Sequence, residues 1–272
     1  MISDEPSGSV ATRRGTDYVQ SLERGLAVIR AFSAQTPQLT LSDVARLTGL
    51  TRAAARRFLL TLADLGYVRS DGKHFSLTAK VLELGYSYLS GMSLPEVAQP
   101  HLEQLSAQVR ESSSVSVLDG ADVVYVARVA VSRIMTVSIN IGTRFPAYAT
   151  SMGHVLLAGL PPRDLEAYLA DTALTRFTPN TITDAATLRA ELENVRAQGF
   201  SIVDQELEEG LRSLAVPVRD NAGSAIAALN VSTHATRRTL ESIRTDLVPR
   251  LLSAARDIEQ DLAAAKPVTR LG

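Results

Sequence analysis

Cysteine is absent from the 272 residues, which excludes disulfides and thiolate metal sites. The four histidines, His74, His101, His154 and His234, stand in no metal-ligand spacing with one another or with a carboxylate pair. There is no G-x-S-x-G elbow and no P-loop. Ser151 and His154 lie three apart, and that spacing alone does not make a nucleophile and its base. The expectation is therefore a protein that is not an enzyme and that takes no metal and no cofactor. No apolar run approaches the roughly 20 residues of a membrane span, and Met1–Asp17 lacks the apolar core of a signal peptide. The cytoplasm is the expected compartment, with no membrane partner. A large net charge is missing as well: the formal value is −1, so the whole molecule is no polycation.

The charge that is present is unevenly placed. Residues 1–90 carry 11 Lys+Arg against 8 Asp+Glu, and the remainder 17 against 21. A basic front and an acidic back suit a nucleic-acid module joined to something else. Within that front, Leu39–Phe75 reads as a helix-turn-helix with a β-wing. Thr40 or Ser42 can cap a short first helix, Gly49 supplies the sharp turn, and Thr51 caps a second helix that Gly66 ends. At about 100° per residue, Ala55, Phe58, Leu59, Leu62 and Leu65 share one side of that second helix. Ala53, Arg56 and Arg57 share the other, with Arg52 at its flank. Small residues let a helix seat deeply in a major groove, and arginines near its start reach base edges or phosphates. Two short β-prone runs joined by Asp71-Gly72 predict a hairpin that carries Arg69 and Lys73 for phosphate contact. An ordinary three-helix unit with a solvated arginine face shares the bare pattern; the wing and the arginine cluster favour DNA.

The divisions predicted along the chain are a disordered tail over 1–17, a winged helix-turn-helix over 18–78, a linker helix over 79–92, a second domain over 93–265 and a tail over 266–272. The first helix is expected over Ser21–Phe32, capped by Ser21, with Leu22, Leu26, Ile29 and Ala31–Phe32 on its apolar stripe. Val81, Leu82, Leu84, Tyr86, Tyr88 and Leu89 make the linker helix apolar on more than one face. It packs against a partner chain or is buried between two domains of one chain. In the second domain, Pro100 is expected to break or restart a helix. Ser114–Leu118, Val123–Val129, Ile134–Ile141, Phe200–Val203, Ser213–Val218 and Ala225–Val231 read as strands, and Leu240–Leu262 as a last helix. The fold class is α+β, with an antiparallel sheet flanked by helices. Two loops concentrate polar groups. One runs from Arg144 to Ser151 and ends at a helix start, where free N–H groups at Ser151 and Met152 attract anions. The other runs from Asp204 to Ser213. Met135, Val137, Phe145, Tyr148 and Leu214 could wall a pocket between them; ordinary surface loops are the other reading.

Taken together, Ser21-Leu22-Glu23-Arg24-Gly25-Leu26, the helix-turn-helix, Tyr148-Ala149-Thr150-Ser151-Met152-Gly153, and Asp204-Gln205-Glu206 through Leu211-Arg212-Ser213 resemble the IclR-type transcriptional regulators. The resemblance runs from Tyr18 to about Leu262. Thr51–Arg57 and the Thr-Ser-Met-Gly stretch are most similar to the subgroup that governs aromatic-acid catabolism through protocatechuate and β-ketoadipate. The family implies a winged helix-turn-helix followed by a GAF-like effector domain, and homodimers or tetramers on palindromic double-stranded operator DNA. The DNA-reading candidates are then Thr40, Ser42, Thr51, Arg52, Ala53, Arg56, Arg57 and Lys73. The effector implied is a small carboxylic acid, and the matching loops offer Met135, Arg144, Tyr148, Ser151, Met152, Asp204, Leu211 and Ser213. His154 falls where that subgroup commonly has arginine. The alternative function is a small-molecule-binding protein whose helix-turn-helix makes protein contacts.

Overall fold

The computed structural model describes residues 18–33, 35–84, 94–131 and 139–264. The chain divides into two compact units, Met1–Tyr88 and Leu89–Gly272. The first contains α1 (Gln20–Arg30), β1 (Leu39–Thr40), α2 (Leu41–Thr48), α3 (Arg52–Asp64), β2 (Val68–Ser70) and β3 (His74–Leu77). Thr40, not Ser42, caps α2, in a capping box with Asp43: each accepts the other's backbone N–H. Gly49 ends α2 at φ 66°, a left-handed position that favours glycine. Thr51 Oγ1 then accepts the Ala54 N–H to start α3.

Val28, Val44, Ala55 and Leu59 form the centre of this unit's core, with no exposed surface. The expected stripe on α1 holds at its end, where Ile29, Ala31 and Phe32 pack on the core, and is corrected at its start. Val28 is the buried residue, and Leu22 and Leu26 face outward, 63% and 48% exposed. Ser21 does not cap the helix; Val19 holds that position without a side-chain bond. The hairpin gains a third strand, because Leu39 and Thr40 pair with Phe75 and His74. Leu65, expected on the buried side of α3, is 53% exposed because the helix has already closed there. Thr78 caps a short 3-10 turn, Ala79–Val81. The linker helix predicted beyond residue 84 lies outside the described residues.

The second unit is built on one antiparallel sheet. Its strands are β4 (Ser112–Asp119), β5 (Asp122–Val129), β6 (Arg144–Pro146), β7 (Ser201–Asp204), β8 (Leu211–Arg219) and β9 (Ala225–His234), in the order β6-β5-β4-β9-β8-β7. Helices α4 (Leu94–Val109) and α8 (Val248–Ala264) cover one face. Helices α5 (Ser151–Ala158), α6 (Pro162–Asp171) and α7 (Ala185–Gln198) cover the other. Burial on both sides explains why β8 and β9 read as nearly continuous apolar runs.

Pro100 does not break α4. Ala98, Leu102 and Leu105 bury the helix on both sides of it, and each such leucine contributes about 1.5–3 kcal/mol, enough to offset one lost backbone bond. The Arg144 loop is corrected to a short edge strand, β6, followed by a 3-10 turn, Ala147–Ala149. Of the strand expected over Ile134–Ile141, residues 134–138 lie outside the described residues, and residues 139–141 are not strand. The last helix begins at Leu240 and passes through a π-helical stretch, Ile243–Leu247, into α8. A wider turn suits the four-residue spacing of Ile243, Leu247 and Leu251, all buried against the sheet.

Candidate functional site

Two surfaces carry candidate chemistry, one in each unit. On α3, Arg52, Ala53, Arg56 and Arg57 are all exposed, because burial of Ala55, Leu59 and Leu62 turns the opposite face to water. The three arginines make no ion pair among the described residues. The wing beside it is a tight structure. Asp71 accepts the N–H groups of Lys73 and His74 at 2.9 and 2.6 Å, and these bonds pull its carboxyl down to about 2. Lys73 stands exposed at the tip. Thr40 and Thr51 serve as helix caps, and Ser42 is exposed in the first turn of α2.

In the second unit, a small cavity of about 20 Å³ lies between the start of α5 and the sheet. That is room for about one water. Tyr125, Ser213, Asn230 and Ser232 line its floor, Ser151 and Met152 its wall at the helix start, and Val203 of β7, Leu207 of the 205–210 loop and Leu211 of β8 the remaining side. The wall is held from behind. Thr150 Oγ1 accepts the Gly153 N–H, and the Ala147–Ala149 turn presses so close that only glycine fits at 153. His154 is fully buried. Its Nε2–H donates to the Tyr148 carbonyl at 2.6 Å, and its Nδ1 faces Ser201 Oγ at 3.4 Å. Burial pushes its pKa down, so it is a neutral strut between turn, helix and β7.

The floor follows from cross-strand pairing, since directly paired residues share a face. Arg128, Ser114 and Asn230 form one row across β5, β4 and β9, and Tyr125, Ser116 and Ala228 the next. Arg128 is half-buried and lays one guanidinium nitrogen on Ser114 Oγ at 2.9 Å. It has no carboxylate partner among the described residues, and burial lowers its pKa. Six buried side-chain polar atoms of the described residues lack a partner, and four belong here: Ser116 Oγ, Arg128 Nε, Ser151 Oγ and Asn230 Oδ1. Buried polar groups are normally satisfied, so this concentration marks the face as built for something polar.

Of the effector candidates, Ser151, Met152, Leu211 and Ser213 line the cavity; Arg144, Tyr148 and Asp204 do not. Arg144 sits at the sheet edge, where Asp119 and Asp122 take its guanidinium at 2.6 and 3.1 Å. Tyr148 is buried elsewhere, its hydroxyl donating to the Thr175 carbonyl and its ring stacked on Phe177. Asp204 is turned to the opposite face by strand alternation, where Arg212 holds it with two bonds of 2.6 and 3.1 Å. Met135 and Val137 lie outside the described residues. Sequence reading missed Arg128, Ser114, Ser116, Asn230 and Ser232. The available signal was polar alternation, Ser112, Ser114 and Ser116 on one strand and Asn230 and Ser232 on another, in strands otherwise apolar.

A winged helix-turn-helix with a free cationic face, in one chain with a cavity of unpartnered polar groups, defines a ligand-responsive regulator of transcription. Residues 86–260 match the family described as Bacterial transcriptional regulator IclR C-terminal, and residues 21–72 the IclR helix-turn-helix domain. The chain belongs to the IclR family. It is 46% identical over 243 residues, 89% of this chain and 84% of the relative, to the Pca regulon regulatory protein of Pseudomonas putida. It is similar to the crystal structure of a transcriptional regulator from Rhodococcus sp. RHA1, with 63% identity and a TM-score of 0.83, over 92% of this chain and 100% of that one. It also resembles an IclR homologue from Microbacterium hydrocarbonoxydans complexed with 4-hydroxybenzoate, with 29% identity and a TM-score of 0.81, over 90% of this chain and 100% of that one.

Proposed function

We propose that this protein controls genes of aromatic-acid catabolism by binding operator DNA through α3 and a small carboxylic acid in the cavity under α5. The observation that carries the reading is the pairing of an unneutralised arginine face on α3 with a small cavity in which Ser151 Oγ and Asn230 Oδ1 lack partners. The Pca regulon regulator and the 4-hydroxybenzoate complex among its relatives support the pathway and the ligand class. Arg52, Arg56 and Arg57 contact bases or phosphates, with Lys73 on the flanking backbone. Two copies bind half-sites separated by roughly 34 Å or a multiple of it. The exposed Leu82 and Leu84 at the start of the linker support an apolar contact between copies. The acid acts by favouring one arrangement of the paired DNA-binding units, since a ligand with no differential affinity shifts nothing.

Fluorescence anisotropy tests this, with DNA from upstream of adjacent catabolic genes and with 4-hydroxybenzoate, protocatechuate and β-ketoadipate added in turn. Salt-dependent binding that one of the acids changes is the expected result. Binding to no such DNA at any salt would sink the regulatory reading. In the same assay, Leu84→Asp is expected to weaken self-association and operator binding together.

A further inference from the structure

We propose that Leu60 reads the 5-methyl group of a thymine in each half-site of the operator. The assignment rests on the reading of α3 as the helix that enters the major groove.

The position of Leu60 on α3 comes first. At about 100° per residue, it falls between Arg56 and Arg57, one turn before it, and nearly in line with Ala53, two turns before. Side chains on a helix lean toward its N-terminus, so Leu60 lies over the gap between the two arginine stems. It is 41% exposed, on the side opposite the buried Ala55, Leu59 and Leu62, and takes no part in this unit's core. The outward face of α3 thus has an apolar centre, Ala53 and Leu60, with a cationic rim. The neighbouring outward groups offer no competing reader. Thr61 spends its hydroxyl hydrogen on the Arg57 carbonyl at 2.9 Å. Asp64, a further turn on and exposed, carries a charge that phosphates repel, so the face usable against DNA ends at Leu60.

Any docking in which Arg56 and Arg57 both meet DNA brings Leu60 against the base edges between them. Leucine has neither donor nor acceptor. Of the four bases, only thymine presents a methyl group in the major groove. Against another base, Leu60 would displace water from polar atoms that it cannot satisfy. Against thymine, two apolar groups leave water together. The discrimination therefore has an attractive and a repulsive part.

Deoxyuridine tests this, because it differs from thymidine only in lacking the methyl group. The probe is the operator fragment found by anisotropy, with each thymine replaced by deoxyuridine in turn. The proteins are wild type, Leu60→Ala and Leu60→Met, all as the full chain. At one thymine per half-site, deoxyuridine is expected to weaken wild-type binding about fourfold, the worth of one buried methyl group. Leu60→Ala should bind the thymine operator more weakly and be indifferent to deoxyuridine at that position, while Leu60→Met keeps the preference. The salt slope should not change, since leucine releases no counterions. A wild-type scan with no such thymine overturns the assignment, whatever the stability of the variants. So does a preference that survives Leu60→Ala. Loss of self-association in Leu60→Ala overturns it as well, making Leu60 a contact between copies. In all three cases salt-dependent operator binding by wild type still stands; its absence overturns the reading of α3 itself.

Discussion

Arginines stand at both candidate surfaces, under opposite conditions. Arg52, Arg56 and Arg57 are exposed on a helix whose other face is core. Arg128 is half-buried, with its pKa lowered by desolvation. A charge in water costs little to hold and is worth little until a polyanion displaces its counterions. A charge taken from water without a partner costs free energy continuously and recovers it when a matching anion arrives. The first arrangement is tolerant of change and gains affinity from number. The second is intolerant, and depends on the rigidity of what surrounds it.

The difference in tolerance gives the largest effect. A Cβ at Gly153 would lie 1.9 Å from the Ala147 carbonyl oxygen and 2.3 Å from its Cα. Both obstacles are backbone, so neither can rotate away. Gly153→Ala is expected to destabilise the second unit by on the order of 3 kcal/mol, read as a lower thermal transition and lost effector binding. An unchanged melting profile would mean that the turn does not press on α5 as described.

The DNA side should behave in the reverse manner. Replacing Arg52, Arg56 and Arg57 together by Ala is expected to change thermal stability by less than about 0.5 kcal/mol per site, yet to abolish operator discrimination. Arg56→Ala alone should cost about 1–3 kcal/mol of operator affinity if it reads a base. If it meets phosphate, affinity falls on all sequences and the salt slope becomes shallower. Wild-type affinity and slope in the triple variant would remove α3 from the interface.

These two surfaces also differed in how legible they were from sequence. The face of α3 repeats at helical spacing within a few residues, and its caps Thr40 and Thr51 and its turn at Gly49 are local signals. The α+β class and the antiparallel sheet were legible for the same reason: alternation and turn residues are local. The cavity floor was not. Arg128, Ser114 and Asn230 meet only because β4 pairs with β9 across a long stretch of chain, a register that no local pattern states. Asp204 shows the limit sharply. It is two residues from the acidic loop's Glu206 and close in sequence to Leu211, yet one step of strand alternation turns it to the other side of the sheet. Arg144 misled for a different reason: its two aspartates, Asp119 and Asp122, come from the β4–β5 turn, distant in sequence.

The smallest effect concerns the loop that closes the cavity. Residues 205–210 are pinned from outside: the Thr178 and Thr181 hydroxyls donate to the Gln205 and Glu206 carbonyls, each at 2.6 Å, and the Asn180 amide donates to the Asp204 carbonyl at 3.1 Å. Leu207 in this loop lines the cavity, whose volume of about 20 Å³ admits no aromatic acid as it stands. Glu206 is the ionisable group of this loop whose titration the fold displaces. Burial pushes its carboxyl up from 4.5 to about 7; the negative charges of Glu191 and Asp204 add to the rise, and a hydrogen bond from the Ile182 N–H opposes it. Its Oε2 has no partner. The folded protein therefore holds the proton more tightly than the unfolded chain does. That contribution to stability is complete below about 4.5 and is lost as pH rises through about 7. Between pH 6 and 8, wild type should lose stability relative to Glu206→Gln, and amide protection at 205–210, after division by the intrinsic base-catalysed rate common to both proteins, should fall in wild type alone. The comparison of the two proteins cancels the groups they share. Parallel stability curves for both proteins across that range would show that Glu206 does not govern the loop.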